Sequence, residues 1–327
     1  MSIDAVIAWV DGQDPNHFAR RIGRQKELQL PISENLSSSR YESNFEINYC
    51  VLSILKYAPF VNKIFIVTDQ QNPDILEDCE RNFPGSSERI TIVDHKEIFP
   101  DYLPNFNSLS IATTLSNIKG LSDRYIYFND DVLLIKPTKE KDFFQGERPV
   151  LRGDWKVNSF YRNSWNFLKT IIKKGSTKNY QPRVSFHLTQ WTAAKLAGFK
   201  LRFWSNSHTP HPLNKKVLSL YFKEHPKEYH ENIRHPFRVN TQFSAIALNN
   251  NLEKRKYNNN FTAPIQAEYI KYRREKQYIE KKIKKLRSPG NTDLFLCIQN
   301  IDAMSSQDRE LLFSTLDQLI APVYRNE

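Results

Sequence analysis

Cysteine is scarce: the 327 residues hold three, Cys50, Cys79 and Cys297, an odd and scattered set. That argues against a disulfide-stapled secreted scaffold, suits a reducing cytoplasm, and leaves no CxxC pair or Cys/His ladder with zinc spacing. Glycine is scarce too, with nine in all. None falls in a GxxxxGK[ST] or GxGxxG pattern, which removes the phosphate cradles of P-loop ATPases and dinucleotide enzymes. No apolar run approaches the roughly 18 residues that a membrane span needs. The opening MSIDAVIAWVDG carries an acid at Asp4 and no basic leader, so it does not read as a signal peptide. No helix-turn-helix, RRM or zinc-finger pattern supports nucleic-acid binding.

What is present is enough apolar sequence for a buried core: 39% hydrophobic and 13% aromatic. Disorder is excluded, and the length fits one large domain or two modest ones. The net charge is +11, and residues 271–287 (KYRREKQYIEKKIKKLR) carry seven of those charges. Tyr272, Tyr278, Ile279, Ile283 and Leu286 would form the buried stripe of a helix there. Its basic face would be either simply solvated or a contact for an anionic membrane surface or growing polymer. A smaller block, 169–183, has five basic residues and no acid.

The first 135 residues repeat one pattern, a short β-branched or aromatic run that ends in an acid. Residues 3–10 run into Asp11-Gly12, 63–68 into Asp69, 89–93 into Asp94-His95, and 124–128 into Asn129-Asp130-Asp131. Between them, helical periodicity marks 45–57, 73–82 and 108–119. Alternating strands and helices predict an α/β fold with a mostly parallel sheet. Such sheets bind ligands beyond the carboxyl ends of their strands, where these acids would gather. One such Asp is ordinary turn chemistry; four in succession point to a site.

Asn129-Asp130-Asp131 is the most specific of these. Adjacent carboxylates at a strand end repel each other unless a cation neutralises them. Hard oxygen ligands suit Mg²⁺ or Mn²⁺ rather than zinc. Mg²⁺ characteristically shares one or two carboxylates with substrate phosphates, so a nucleotide diphosphate is the natural companion.

Taken together, the motifs resemble a known family. Residues 3–15 (IDAVIAWVDGQDP) are similar to the first conserved block of the Stealth sugar-1-phosphate transferases, which include bacterial capsule enzymes and the lysosomal-enzyme N-acetylglucosamine-1-phosphotransferase. Residues 40–73, continued by LPNFNS (103–108) and GLSDRYIYFNDD (120–131), resemble the second. SHTPHPLNKKV (207–217) with IRHPFRVNTQF (233–243) resembles the third, and LFLCIQNID (294–302) the fourth. Departures are Ser43 and Phe45 in the second block, Ala112 where an acid commonly follows FNS, and a fourth block one residue short.

The resemblance implies a GT-A-like core, a UDP-sugar donor, and Mg²⁺ or Mn²⁺. The implied reaction is attack on the β-phosphorus, which passes sugar-1-phosphate to a glycan hydroxyl and releases UMP. It implies His208 as the base, with His211 second; Arg234 and Arg40 on phosphate; and Asp130 and Asp131 as metal ligands with Asn300 as a third. Asp131 also counts with the catalytic set. Asp11 and Gly12 would meet the uridine or ribose, and Asn44, Asn107, Ser108 and Asn129 the rest of the donor. His235 would orient its loop. Trp9, Trp155, Tyr161, Trp165 and Trp191 read first as packing residues.

One catalytic unit is expected, organised as a donor-binding core (1–144), an acceptor region (145–253), a basic helical segment (254–290) and a C-terminal segment returning to the core (291–327). It would work in the cytoplasm, with at most a peripheral membrane contact. The competing expectations are a GT-A glycosyltransferase that releases UDP, and a basic non-catalytic binding protein.

Overall fold

The computed structural model describes residues 2–30, 45–157, 184–272 and 277–325. β1 (Ile3–Ala8) is buried along its length and lies at the centre of the larger sheet. Its one acid, Asp4, is fully buried. Backbone N–H groups of Ser122 and Lys63 donate to it at 2.7 and 3.2 Å, which satisfies the charge. α1 (Pro15–Glu27) starts on an Asp14 cap with Pro15 in its first turn. α2 (Glu46–Tyr57) buries Ile47, Cys50, Val51, Ile54 and Leu55 against the sheet.

β2 (Val61–Thr68), α3 (Leu76–Asn82), β3 (Ile90–Asp94), α4 (His95–Ile98), α5 (Ser108–Thr114) and β4 (Arg124–Asn129) follow. These match the predicted alternation closely. α5 is shorter than its periodicity predicts, because Thr113 and Thr114 hydroxyls donate back to Leu109 and Ile111 carbonyls and the chain tightens into a 3₁₀ turn.

The short β5 (Val132–Leu134) leaves the larger sheet at once. β6 (Phe144–Gln145) and β7 (Arg148–Pro149) form a small hairpin. β8 (Gly153–Val157) pairs antiparallel with β9 (Arg202–Asn206), with α6 (Phe186–Leu196) before β9. β10 (His211–Asn214), α7 (Lys215–Glu224), α8 (Pro226–Ile233), α9 (Ala245–Arg255), β11 (Ala267–Lys271), α10 (Tyr278–Leu286), β12 (Phe295–Gln299) and α11 (Ser306–Leu319) complete the chain.

The larger sheet has the order β10-β4-β1-β2-β3, parallel except for β10. The α/β class and the mostly parallel sheet are as expected. Successive strands step one way from β1 to β2 to β3, and then β4 returns to the other side of β1. The order therefore reverses between β1 and β4, and ligands of open α/β sheets bind at such a reversal. Ala8 pairs with Asn129 at that edge, so Asp11-Gly12 and Asn129-Asp130-Asp131 emerge side by side.

The second sheet, β11-β12-β5, draws on both halves of the chain. Its residues Phe295, Leu296 and Ile298 share one buried cluster with Ile3, Ile54, Phe128 and Leu134. The basic segment joins the same cluster: Ile279, Ile283 and Leu286 are buried in it, and Tyr272 and Tyr278 pack on its edge. Its stripe is thus the expected one, and the helix is part of the main body. Among the described residues no helix is long and apolar enough to cross a membrane.

Candidate active site

Asp130 and Asp131 form the turn where the chain passes from one sheet to the other. Ile298 N–H donates to the Asp131 carbonyl at 2.9 Å, which ties that turn to β12. The Asp131 carboxylate is fixed by one oxygen: Oδ2 accepts from Gln299 Nε2 at 3.0 Å and lies 3.8 Å from Cys297 Sγ. The other oxygen, Oδ1, is buried and has no hydrogen-bond partner. Burial pushes the Asp131 carboxyl up, against the Gln299 bond and the field of His208, which favour the charged form. Asp130 is pushed well up by burial, by Asp131, and by a third acid, Glu46 at the start of α2. Glu46 and Asp131 share the wall of a small cavity of about 10 Å³ with Tyr49, Leu133, Ile298, Ile301 and Leu316.

These groups fit a hard divalent cation. The orphaned carboxylate oxygen belongs to Asp131, whose charge, with that of Glu46, repels Asp130, and burial disfavours the charge of both Asp130 and Asp131, a penalty that a bound cation would relieve. Among the described residues no three His, Cys, Asp or Glu groups converge into a complete cage.

The residue just before the expected third ligand, Asn300, is the one that contacts Asp131. Asn300 follows β12 in a left-handed conformation (φ 62°), whereas Gln299, one residue earlier, is the side chain that reaches Asp131. Strand parity explains this. Cys297 and Gln299 share a face of β12, and both approach Asp131 Oδ2.

His208 precedes β10, whose antiparallel pairing of His211 with Tyr127 returns the chain to the carboxyl end of β4. The half-buried imidazole is sandwiched between two rings. Phe186, at the start of α6, stacks on one side (centroids 5.2 Å apart, 15° between planes), and Tyr269 of β11 on the other (5.4 Å, 14°). The Tyr269 hydroxyl donates to Gln299 Oε1 at 2.6 Å. A continuous relay therefore joins the predicted base to the predicted metal ligand: His208 on Tyr269, Tyr269 to Gln299, Gln299 to Asp131. None of Phe186, Tyr269 or Gln299 was singled out by the sequence motifs. His211 is buried, and burial pushes its pKa down to about 3, so it is neutral and too weak a base for neutral pH.

The remaining candidates divide. Asp11 Oδ1 accepts from Gln13 N–H, while its backbone exchanges two bonds with the Gln71 amide at 3.0 and 2.7 Å, which shapes the loop around buried Gly12. Asn129 Oδ1 accepts from the Tyr127 hydroxyl at 3.0 Å. Ser108 accepts a hydrogen bond from Arg238, a cation that the motifs passed over.

Asn107 is a correction. It is fully buried, caps α5 through Leu109 N–H, and donates to the His235 carbonyl and Gln242 Oε1, both at 2.9 Å. It locks the 233–243 segment onto α5 and has no face left for a sugar. Arg234 closes α8 with its guanidinium on Glu231 at 2.8 Å, and its side chain is 53% exposed. His235 also turns toward Glu231, at 3.4 Å. Trp9 and Trp191 are buried, as packing residues should be. Arg40, Asn44, Tyr161, Trp165 and the 169–183 block lie outside the described residues.

Comparison with known proteins identifies the family. Conserved region 1 of the Stealth proteins matches residues 1–28, and conserved region 2 matches residues 40–150. The receptor polysaccharide phosphotransferase WefC of Streptococcus gordonii is 32% identical over 243 residues, spanning 68% of this chain and 69% of that protein. The capsular polysaccharide phosphotransferase cps1A of Actinobacillus pleuropneumoniae is 30% identical over 247 residues, spanning 74% of this chain and 62% of that protein. Among solved structures, the galactosyltransferase LgtC, in complex with donor and acceptor sugar analogues, is a distant likeness: TM-score 0.46, 10% identity, 97% of this chain and 96% of that one. Sequence blocks, their order and the relatives that share them agree: the chain belongs to the Stealth family and is a transferase.

Proposed function

We propose that the chain transfers sugar-1-phosphate from a UDP-sugar to a hydroxyl of a glycan acceptor during assembly of a surface polysaccharide. The observation that carries this reading is the His208–Tyr269–Gln299–Asp131 relay, which sets an oriented imidazole and an orphaned carboxylate at one sheet edge. The donor would lie across the β1/β4 reversal, its nucleoside against Asp11-Gly12 and its diphosphate beside Asp130-Asp131. Bound there, Mg²⁺ or Mn²⁺ would offset the charge of the diphosphate.

His208 accepts the proton of the acceptor hydroxyl, whose oxygen forms a bond to the β-phosphorus. The bond from that phosphorus to the bridging oxygen breaks, and its electron pair leaves with UMP. As the imidazole becomes cationic, the faces of Phe186 and Tyr269 and the field of Asp131 all favour the new charge. Arg234 supplies charge to the phosphoryl group by leaving Glu231. An exposed pair of that kind is worth about 0–1 kcal/mol, so the exchange costs little. Arg238, already on Ser108, is a second cation at the same edge.

Incubation with a UDP-sugar panel, an acceptor and Mg²⁺ tests the reading. UMP released in step with a phosphodiester product supports it; stoichiometric UDP overturns it in favour of glycosyl transfer.

A further inference from the structure

The antiparallel β8–β9 pair carries a chemistry that the proposed donor site does not use. Trp155 and Trp204 face each other across it, edge to face with centroids 5.6 Å apart, and Phe199 meets Trp155 at 5.4 Å. Three cations stand over these rings: Arg202 over Trp155 at 4.5 Å, Lys254 over Trp204 at 4.6 Å, and Arg255 over Phe199 at 5.9 Å. None of the three makes an ion pair with a carboxylate of the described residues. The acid next to Lys254, Glu253, is buried and committed to Arg148 and Asn259. Trp155 remains 40% exposed.

The pair is anchored to α9 and closely packed. Asn251 of α9 accepts from Trp204 N–H and donates to the Trp204 carbonyl, at 3.0 and 3.1 Å. Gly153 leaves the room that Trp204 fills, since a Cβ there would collide with the Ser205 carbonyl and crowd the indole. β9 then runs from Arg202 to Asn206 and directly into Ser207-His208. At about 3.3 Å per residue, Arg202 lies about 13 Å up the strand from its His208 end.

We infer that this aromatic and basic face is a docking surface for the phosphate-bearing glycan acceptor. The inference rests on the proposed reaction, whose product gains a phosphodiester at each transfer. Trp155 offers an apolar face to a sugar ring, and Arg202, Lys254 and Arg255 match phosphodiester charges along a chain that ends at His208. Continuity with the strand that delivers His208 favours a glycan over a nucleic acid or a lipid surface.

The test measures binding of the full chain to a purified oligosaccharide of sugar-phosphodiester repeats. Neutral dextran of equal length, single-stranded DNA and phosphatidylglycerol vesicles are the comparisons. Arg202→Gln and Arg255→Gln should each weaken binding to the phosphodiester oligomer about tenfold, flatten its salt dependence, and raise KM for long acceptors with KM for the donor unchanged. Trp155→Ala should weaken it further, and the two Arg variants keep the test readable if that variant unfolds. Equal affinity of folded variants and wild type overturns the inference, as does equal binding of dextran. A preference for DNA or vesicles that the same substitutions abolish also overturns it. Oligomer binding lost in the variants without UMP release from any donor would remove the proposed reaction and leave the surface; UMP release with variant-insensitive oligomer binding would remove the surface alone.

Discussion

Tyr269→Phe is the sharpest probe of the site, because it separates two things the residue does. The ring stays over His208, while the hydroxyl that donates to Gln299 Oε1 at 2.6 Å is lost. A neutral hydrogen bond of this kind contributes about 1 kcal/mol, so kcat/KM for UMP release should fall about fivefold. Gln299→Leu removes the direct bond to the Asp131 carboxylate at 3.0 Å. A hydrogen bond to a charged group is worth about 1.5–3 kcal/mol, so the loss should be about 10- to 100-fold. Among the described residues, the hydrogen-bonded path from the hydroxyl to Asp131 runs through Gln299. In a Gln299→Leu background, Tyr269→Phe should therefore cost almost nothing more. Steady-state UMP release at saturating Mg²⁺ and donor, with all four corners of the cycle measured in one acceptor, gives the coupling energy. If the two single losses add to within about 0.5 kcal/mol, no relay exists and the reasoning is refuted. Tyr269→Leu, which also removes the stack, should fall below Tyr269→Phe; equality would show that the ring contact with His208 is idle.

Other expectations follow from the same geometry. His208→Ala should lower kcat by about 10²–10⁴ and leave UDP-sugar affinity, measured by calorimetry, nearly intact; a large loss of donor binding would move His208 into the nucleotide pocket. Asn107→Leu should lower stability by about 1–3 kcal/mol, read as a shift in urea midpoint, because it leaves Leu109 N–H uncapped and takes one donor each from the His235 carbonyl and Gln242 Oε1, which both keep another; an unchanged midpoint would contradict its locking role. Lys282 and Lys285 both hold the buried Glu268 carboxylate, so neutralising them should destabilise the fold by about 1–3 kcal/mol, whereas neutralising exposed Lys281 and Lys284 should not; vesicle binding and thermal unfolding measured on both pairs separate the two effects. His95 is buried among Asp69, Asp94, His17 and Arg20, and burial holds its pKa down at about 4. The unfolded chain binds a proton there near pH 6.5, so stability is full above that pH and falls as pH drops toward about 4. His95→Leu should flatten that part of the urea-unfolding profile, and an identical slope would remove His95 as its source.

Much of the core was legible because it obeys local rules. β1, β2, β3 and β4 are β-branched runs that stop at an acid, and the structure ends them within two residues of the predicted positions. Phe45–Tyr57 was read as a helix from its apolar spacing and is one from Glu46. The acid pair was legible for the same reason. What failed depended on partners distant in sequence. Nothing around Asn107 announces that its amide meets His235 and Gln242, about 130 residues later. The contact of Gln299 with Asp131 joins β12 to a turn 168 residues earlier, and no local pattern marks it. Phe186 and Tyr269 flank His208 from α6 and β11, elements brought together only by the tertiary fold.

The net charge shows the same division between local and distant information. Seven of the eleven charges fall in one segment, which makes that segment the obvious seat of an anionic partner. Yet Lys282 and Lys285 already serve a buried glutamate, and Arg287 donates to Thr315 and Gln318 of α11. A cation spent on an internal acceptor has little left to offer a ligand, because the ligand must first displace that acceptor and leave it unsatisfied. Arg202, Lys254 and Arg255 form a cluster too small and dispersed in sequence to register as a charge run. They rest on aromatic faces, which sustain a cation without neutralising it. The fraction of each charge left uncompensated decides where an anion will bind. By that measure Arg202, Lys254 and Arg255 are better placed to hold an anion than Lys282, Lys285 and Arg287 of the basic helix.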